Sequence, residues 1–420
     1  MSEAGLFHRS LALAVVGLLL LAGCVPARRP PPAVLPPEPA PPPVAMTLLR
    51  TSPEAVGMSP RLDERLDSIM TAAVSGGVSP GASLAVGRHG RLVYLKGFGR
   101  THGDPGYPPV DSATLFDLAS LTKVVATTTA AMMLEEEGRL DLDRPVSHYL
   151  PQFSDSAKAG ITVRMLLTHS GGLEAYAQLY RTHRGREQYL EAISSRPLAY
   201  EPGTRTIYSD WDMVLLQLVV ESVAGNALDR FVSERIFEPL GMRDTMFRPS
   251  AFLVDRIAAT AVDSTRGGLL HGVVHDGNAW ALGGVSGHAG LYSSAADLSV
   301  FAQMLLNGGW YDGVRILRAE TIARWTARQG PRSSRALGWD TPSGESSAGR
   351  YFSARSFGHT GFTGTSLWVD PERGLFVVIL TNRVNPSEAN QSHVPLRRSI
   401  ADAVQAAVVD APLVEWEAGR

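Results

Sequence analysis

The chain has 420 residues, of which 44% are hydrophobic and 19% charged, and its formal net charge is −2. The hydrophobic fraction supports a packed core and excludes a chain that is disordered throughout, and the absence of a basic surplus gives no indication of a nucleic-acid partner. A single cysteine excludes an internal disulfide and a zinc or iron–sulfur site built from several cysteines.

The N-terminus is predicted to be an export signal over residues 1–23. Arg9 precedes an apolar run of 11 residues from Leu11 to Leu21, which is shorter than the ~20 residues that a helix needs to cross a bilayer. The run ends in Leu-Ala-Gly-Cys24, which resembles a bacterial lipobox. This resemblance implies cleavage before Cys24 and lipidation of its thiol. The alternative is an ordinary secretory signal in which the cysteine has no role.

A proline-rich segment follows the signal. Residues 26–43 hold 10 of the 28 prolines, a composition that favours the extended polyproline II conformation. At ~3.1 Å per residue the segment reaches about 55 Å. We therefore predict a semi-rigid tether over 24–45. It would hold a folded domain over 46–420 away from a membrane of the bacterial cell envelope, on the periplasmic or outer side.

The apolar patterns of the folded segment predict strands near both ends and helices between them. The predicted strands cover 82–87, 91–97, 366–370 and 375–381, and the clearest helices cover 62–74, 120–137, 295–306 and 396–408. This order predicts an α/β (α+β) fold, with an antiparallel sheet flanked by helices and an inserted helical lobe. The sheet lobe is expected over about 46–119 and 310–420, and the helical lobe over about 120–309.

Ser120 and Lys123 lie three residues apart at the start of the predicted helix over 120–137, so both side chains occupy one helical face. A serine hydroxyl becomes a nucleophile when a nearby base takes its proton, and burial lowers the pKa of a lysine toward that role. The helix is apolar on most faces, and lysine is rare in this chain. Lys96, Lys123 and Lys158 are three of 39 Lys and Arg residues. The alternative is a serine that caps the helix beside an exposed lysine.

Two further motifs follow SLTK at 120–123, namely YSD at 208–210 and HTG at 359–361. In this order they resemble the SxxK, YxN/D and K/H-T/S-G motifs of the serine β-lactamase and penicillin-binding protein superfamily, in its class C-like branch. The phrase GLYSSAADLSVFAQMLLNGG at 290–309 is similar to that branch as well. The resemblance spans about residues 50–410 and implies a β-lactamase/transpeptidase-like fold with the active site between the sheet and the helical lobe.

The resemblance also implies roles for the motif residues. Ser120 would be the acylated nucleophile, Lys123 would hold or receive its proton, and Tyr208 would be the partner base and the acid that protonates the leaving group. The oxyanion would lie between the backbone amides of Ser120 and Phe362. The oxyanion and substrate-binding set comprises Phe362, His359, Thr360, Gly361 and Asp210.

Two of these residues differ from the β-lactamase pattern. His359 replaces the usual lysine, and a histidine with a pKa near 6.5 is mostly neutral at pH 7, so it would hold a substrate carboxylate weakly. Asp210 replaces an asparagine. Close to Lys123 it would favour the protonated lysine, which shifts proton acceptance toward Tyr208. No class A-type deacylating glutamate can be assigned. These differences favour an ester, amide or peptide substrate over rapid β-lactam hydrolysis.

Other candidate sites are weaker. His271 and His275 have the i, i+4 spacing of a metal pair, but their glycine-rich surroundings predict a loop, and no glutamate lies between them as in HExxH. We predict a loop or cleft wall there, with no metal and no cofactor. Ser170 lacks the GxSxG context and is expected to be structural.

The sequence therefore predicts a membrane-tethered serine hydrolase that forms an acyl-enzyme with an ester, amide or D-amino-acid peptide of the cell-wall type. Its partners would be a small-molecule or peptidoglycan-derived substrate and, through the lipid, a membrane. The alternatives are a D,D-carboxypeptidase or weak β-lactamase and, from another class, a non-catalytic lipoprotein that binds peptidoglycan or a partner. The presence of all three catalytic residues argues against the non-catalytic alternative.

Overall fold

The computed structural model describes most of the folded segment, namely residues 48–154, 157–331, 333–344, 346–385 and 387–415. The predicted signal peptide over 1–23, Cys24 and the tether over 24–45 lie outside the described residues. Within the described ranges, no helix combines the length and the apolar character needed to span a bilayer.

The longer strands lie near both ends of the described chain, and most of the helices lie between them. The strands are β1 (Gly81–Arg88), β2 (Arg91–Gly99), β3 (Phe116–Asp117), β4 (Met246–Phe247), β5 (Val262–Asp263), β6 (Gly268–Leu269), β7 (Leu291–Ser293), β8 (Trp310–Tyr311), β9 (Val314–Arg315), β10 (Phe357–Thr360), β11 (Ser366–Asp370) and β12 (Leu375–Thr381). The α-helices are α1 (Leu62–Ser75), α2 (Thr129–Glu136), α3 (Val146–Tyr149), α4 (Val163–Leu167), α5 (Gly185–Ser195), α6 (Asp210–Ala224), α7 (Leu228–Val232), α8 (Gly277–Ala281), α9 (Ala295–Leu306), α10 (Ala319–Thr326) and α11 (His393–Ala406).

The main sheet has five antiparallel strands in the order β10-β11-β12-β1-β2. Its centre joins the two ends of the chain, because β1 pairs with β12 and places Leu84 opposite Ile379. The predicted fold class, an antiparallel sheet flanked by helices, is confirmed. A separate sheet has three strands in the order β3-β7-β4, and its strand β3 ends three residues before Ser120.

Both faces of the main sheet are buried, and alternate residues of β12 belong to two different cores. Val377 and Ile379 pack in a core with residues of α1 and α11, whereas Phe376 and Val378 pack in the larger core that contains the helices of the middle segment. Because side chains on a strand alternate between faces, seven consecutive apolar or small residues can fill both cores. The sheet is thereby held between two helical layers.

The predicted hairpins are confirmed. Between β1 and β2, His89 and Gly90 have φ values of +50° and +76°, the left-handed pair that a tight two-residue hairpin turn requires. The second pair of strands, β11 and β12, has the bounds that the sequence predicts.

The predicted helices are confirmed, and the bounds of three of them differ from the prediction by one to three residues. Ser294 caps α9 by accepting a hydrogen bond from Asp297 N at 3.2 Å. The closing helix α11 ends at Ala406, so Val408 lies beyond it and pairs with Met58 in an isolated antiparallel bridge. The apolar spacing extends past the helix because Val408 is buried against the same core from an extended backbone.

The predicted buried helix is helical from 121 to 136 and includes a π-helical stretch over Lys123–Thr128. In that stretch Thr127 Oγ1 donates to Gly287 O at 2.8 Å, and Val124 O accepts from Oγ1 of Thr129, the first residue of α2, at 2.8 Å. Apolar periodicity predicts a helix but not its hydrogen-bond register, so the π stretch could not be predicted. Such stretches often occur at functional sites.

Candidate active site

The Ser120 side chain is presented by a tight turn at the entrance of the buried helix. The preceding residue, Ala119, has a φ of +47°, which is an unfavourable conformation for a residue with a Cβ atom. The buried Asp117 carboxylate stabilises this turn by accepting hydrogen bonds from Ala119 N at 2.9 Å and His275 N at 2.7 Å. The turn thereby places Ser120 at the wall of a cleft.

Lys123 is fully buried and joins the first motif to the second. Its Nζ donates hydrogen bonds to Ser120 Oγ at 2.8 Å, to Asp210 Oδ1 at 2.8 Å and to His288 O at 3.1 Å. All three donor hydrogens of an ammonium are thus used. The alternative in which this lysine is exposed to solvent is excluded.

The pKa of Lys123 is raised above its ordinary value of 10.5, although burial alone would lower it. The Asp210 carboxylate and the Tyr208 side chain overcome the effect of burial. The direction of this shift is the one expected for a lysine beside Asp210, whereas burial alone would have lowered the pKa toward that of a base.

Tyr208 lies between two cations. The centre of its ring is 4.8 Å from Lys123 Nζ and 5.0 Å from the Arg335 guanidinium. The ring of the buried His169 packs against it, with 4.6 Å between ring centres. Burial lowers the pKa of His169 well below its ordinary value, and Arg335 and Lys123 lower it further. The positive charge around Tyr208 therefore comes from Lys123 and Arg335.

The second motif is positioned by the N-terminus of α6. Ser209 is the N-cap residue, and its hydroxyl donates to Glu174 O at 2.6 Å while it accepts from Trp211 N at 3.2 Å. Because Ser209 faces the protein, its two neighbours Tyr208 and Asp210 reach the cleft. The helix N-terminus also favours the negative charge of Asp210.

His359 lies on β10 and lines the cleft together with Ser120. Its Nδ1 is 2.8 Å from the carbonyl oxygen of Thr360, so Nδ1 carries a hydrogen and donates it. Burial lowers the pKa of this histidine well below its ordinary value, with further effects from Arg335 and Lys123. Its Nε2 is therefore an acceptor, and it has no hydrogen-bond partner among the described residues.

Arg335 is a site residue that the sequence did not reveal. Its guanidinium lies beside Tyr208 and lines the cleft together with His359 and Thr360. Its backbone bridges to Asp340, which in turn bridges to Gly358 of β10, so Arg335 is held at the edge of the main sheet. No local motif distinguishes it from the other arginines of the chain.

The third motif continues into a turn that is hydrogen-bonded to the nucleophile segment. Thr363 Oγ1 donates to Asp117 O at 2.7 Å, and Thr365 Oγ1 donates to Leu118 O at 2.9 Å. The two segments that carry the proposed oxyanion amides are therefore joined directly. Gly361 permits this approach, because a Cβ atom there would lie 2.1 Å from Thr365 Oγ1.

The backbone amides of Ser120 and Phe362 are available to a ligand. Among the described residues, neither amide donates a hydrogen bond to another protein group. Phe362 is 49% exposed, and its backbone follows Gly361 directly at the cleft. Unpaired amides of this kind are what an oxyanion hole requires.

The cleft has a volume of about 760 Å³. The structure brings the predicted site residues together around it, with Lys123 directly beneath. The predicted residues that line the cleft are Ser120, Tyr208, Asp210, His359, Thr360, Gly361 and Phe362. Tyr176 also lines it, and its ring lies parallel to that of Trp211 with 6.4 Å between ring centres.

An acid–histidine pair also faces the cleft. His288 Nε2 is 2.8 Å from Asp276 Oδ1, and the ligand atoms of these two residues and Asp210 all lie within 4.8 Å of one another. Both carboxylates already have protein partners, because Lys123 pairs with Asp210 and His288 Nε2 lies within hydrogen-bond distance of Asp276. The chemistry of this group is thus that of a hydrogen-bonded network.

The two histidines weighed as a metal pair have separate partners. The Nε2 atom of His271 lies 2.8 Å from Ile257 O, whereas that of His275 lies 3.0 Å from Glu388 Oε1. His275 lines the cleft, and its ring lies 5.7 Å from that of Phe362.

The comparisons agree with this fold and geometry. Residues 66–402 match the family model described as Beta-lactamase, so the chain belongs to the β-lactamase family. A relative from Escherichia coli (strain K12), named putative D-alanyl-D-alanine carboxypeptidase, is 36% identical over 83% of this chain and 88% of its own length. The chain is accordingly a serine hydrolase of the β-lactamase family.

Solved structures of the same fold include two functional types. The structure of EstCE1, described as a hydrolase with promiscuous acyltransferase activity, is similar with 26% identity and a TM-score of 0.67 over 82% of this chain and 98% of that one. A class C β-lactamase has 18% identity and a TM-score of 0.66, again over 82% and 98%. The latter likeness concerns the fold.

Proposed function

We propose that this protein is a D,D-carboxypeptidase, which removes a terminal D-amino acid from a peptidoglycan-type peptide through an acyl-enzyme on Ser120. The observation that carries the proposal is the position of Arg335, which places a guanidinium beside Tyr208 in the cleft. Among the described residues this guanidinium forms no ion pair with a carboxylate. A peptide that is cut at its last bond brings a terminal carboxylate close to the reacting atoms, and a guanidinium binds a carboxylate with two parallel hydrogen bonds.

The chemistry follows from the contacts of Lys123. Because its ammonium is held by Asp210 and donates to Ser120 Oγ, it stabilises negative charge on the serine oxygen rather than taking its proton. Tyr208 accepts the proton while Oγ forms a bond to the substrate carbonyl carbon. The oxyanion is stabilised by the amides of Ser120 and Phe362. Collapse breaks the C–N bond, and Tyr208 returns the proton to the leaving amine. Water then repeats the sequence on the acyl-enzyme.

The test compares two substrates that differ at one group. One is a peptide ending in D-Ala-D-Ala with a free carboxylate, and the other is the same peptide with a C-terminal amide. A charge-assisted hydrogen bond contributes about 1.5–3 kcal/mol, so we expect the acid to be cleaved with a kcat/KM about 10- to 100-fold higher. Arg335→Met should abolish this preference, whereas Arg335→Lys should keep part of it.

Ser120→Ala is the control for the nucleophile. It should abolish cleavage and covalent labelling, with a loss of about 10⁴–10⁶-fold, because residues that act as one unit fail together. Intact-mass analysis after inhibitor treatment should locate the adduct on Ser120. An adduct on Ser170, or equal cleavage of the acid and amide peptides, would contradict the proposal.

An esterase is the second candidate. It is supported by the likeness to EstCE1 and by two exposed aromatic side chains at the cleft, those of Phe362 and Tyr176. If p-nitrophenyl esters are cleaved, the D-Ala-D-Ala peptide is not, and Arg335→Met leaves the ester rate unchanged, the esterase is the better description.

We further propose that the mature chain is held at a bacterial membrane through a lipid on Cys24, with its folded domain on the periplasmic or outer side. The support is the sequence LAGC followed by the proline-rich tether. Cys24→Ser should leave the enzyme active and move it from the membrane to the soluble fraction. A variant that still sediments with membranes and is released only by detergent would refute the lipid anchor.

A further inference from the structure

The turn over residues 361–365, here called the oxyanion turn, carries the Phe362 amide. It is closed by hydrogen bonds from Gly361 N to Thr365 O at 2.7 Å and from Gly364 N to Gly361 O at 3.0 Å. A closed turn has a defined shape, but its orientation against the cleft depends on what holds its carbonyl groups.

Arg397 of α11 holds three of these carbonyls. Its Nη2 donates to Gly361 O at 2.6 Å and to Thr365 O at 2.7 Å, and its Nε is 3.3 Å from Gly364 O. The side chain is buried, and the residue is only 6% exposed. Neighbouring Arg383 donates from Nε to Phe362 O at 2.7 Å, and its guanidinium lies 4.3 Å from the centre of the Phe362 ring. Two arginines therefore hold the carbonyl groups of one short turn, and both also line the cleft.

Neither guanidinium forms an ion pair with a carboxylate among the described residues. Burial and the charge of Arg383 lower the pKa of Arg397 to about 9, so it remains a cation at pH 7. Buried cations are normally paired with acids, and a cation held only by carbonyl groups is unusual. Its positive charge is compensated by peptide dipoles instead.

The bond to Gly361 O has a specific consequence for the Phe362 amide. The carbonyl of Gly361 and the N–H of Phe362 belong to the same planar peptide group, in which C=O and N–H point in opposite directions. A donor that fixes the carbonyl on the protein side therefore directs the N–H to the opposite side. A cation on the oxygen also polarises the peptide and strengthens the N–H as a donor.

We propose that Arg397 is the positioning residue of the oxyanion hole, because its guanidinium binds Gly361 O and thereby orients and polarises the Phe362 N–H. The inference rests on the proposed acylation of Ser120 but not on the identity of the acyl group. It assigns to the C-terminal helix a role in the chemical step, although Arg397 itself need not touch the substrate.

The experiment measures the second-order rate at which a fluorophosphonate labels Ser120 at pH 7. In this reaction Ser120 Oγ bonds to phosphorus, its proton passes to Tyr208, fluoride leaves, and the phosphonyl oxygen takes the place of the oxyanion. The loss or misplacement of one oxyanion donor typically costs about 10²-fold, so we expect Arg397→Met to lower the rate by about that factor. Arg397→Lys restores a cationic donor, so its labelling rate should be at least tenfold higher than that of Arg397→Met.

Arg373→Met is the matched control. Arg373 is also a buried arginine, 9% exposed, and it contacts the same C-terminal helix by donating to Gln405 Oε1 at 2.6 Å, but it does not line the cleft. Its replacement should lower the free energy of unfolding to a similar extent and leave the labelling rate of the folded protein unchanged.

The outcomes are distinct. The proposal is wrong if the labelling rate of Arg397→Met is within threefold of the wild-type rate. It is also wrong if Arg373→Met lowers the labelling rate as much as Arg397→Met does, because Arg397 then has only a structural role. If Arg397→Met does not fold, the labelling rates of Arg397→Lys and Arg397→Gln are compared instead. Equal labelling rates in these two variants would exclude a role for the positive charge and would contradict the proposal. A wild type that is labelled at Ser120 but does not cleave D-Ala-D-Ala would refute the proposed carboxypeptidase and leave this result valid.

Discussion

Replacing Asp210 with asparagine should destabilise the protein by leaving the buried Lys123 ammonium without its counter-ion. Two unit charges 4 Å apart attract each other by about 4 kcal/mol at an effective dielectric constant of 20, and removing one partner of a buried pair typically costs 3–5 kcal/mol. Because the Asp210 side chain retains 17% exposure, we expect the lower end, about 3 kcal/mol at pH 7.

The loss should depend on pH in a defined direction. In the wild type the pKa of Lys123 is raised, so the stabilisation by the pair is fully present below its ordinary value of 10.5 and is lost only as the pH rises through the folded value. In Asp210→Asn the effect of burial dominates and lowers the pKa. The free energy of unfolding of the variant should therefore increase as the pH rises toward 10, and its difference from that of the wild type should become smaller.

The assay is urea denaturation at pH 6, 8 and 10 on four proteins: the wild type, Asp210→Asn, Lys123→Met and the double variant. The double variant contains neither charge, so Asp210→Asn should cost little in the Lys123→Met background. A cycle in which the two single changes add, with no coupling of at least about 2 kcal/mol at pH 6, would refute the description of this pair as a buried ion pair.

Three further predictions use the same protein. Lys123→Arg keeps the charge, but a guanidinium cannot fit the compact set of three acceptors around Nζ, so kcat should fall by at least about 10²-fold. Activity near that of the wild type would contradict a role for these three hydrogen bonds. Gly361→Ala places a Cβ atom 2.3 Å from Leu118 O and should lower both the labelling rate and the free energy of unfolding, whereas Gly106→Ala, where nothing lies within 4 Å, should change neither. His359→Gln keeps an acceptor, whereas His359→Lys puts a third charge beside Arg335 and Lys123, so circular dichroism melting should show a clear loss of stability only for the lysine variant.

The parts of the fold that could be predicted are those that depend on residues close together in the sequence. The left-handed pair at His89 and Gly90, the alternating strands of the sheet and the Ser294 cap each depend on a few neighbouring residues. The contact between Ser120 and Lys123 is also local, because three residues along a helix bring two side chains to one face. These predictions needed no knowledge of distant segments.

What could not be predicted depends on contacts between distant segments. The sequence suggests that Asp210 favours a protonated Lys123, but it does not show that this effect outweighs burial. The aspartate is 87 positions away, and neither the burial of the lysine nor its 2.8 Å distance to Asp210 Oδ1 is visible in the sequence. Arg335 and Arg397 are two of 36 arginines and follow no motif. Their importance comes from where β10 and α11 place them, which is a property of the tertiary structure.

The pairing of β1 with β12 has a consequence for the time at which activity first becomes possible. The nucleophile at position 120 is made early, whereas His359, the oxyanion turn and Arg397 are made more than 230 residues later. A chain that leaves the ribosome or a translocation pore from its N-terminus cannot complete the cleft until its last helix has emerged. The cleft is therefore complete only after most of the chain has been made, and a chain truncated before α11 would lack His393 and Arg397 in the cleft wall and the bond from Arg397 to the oxyanion turn.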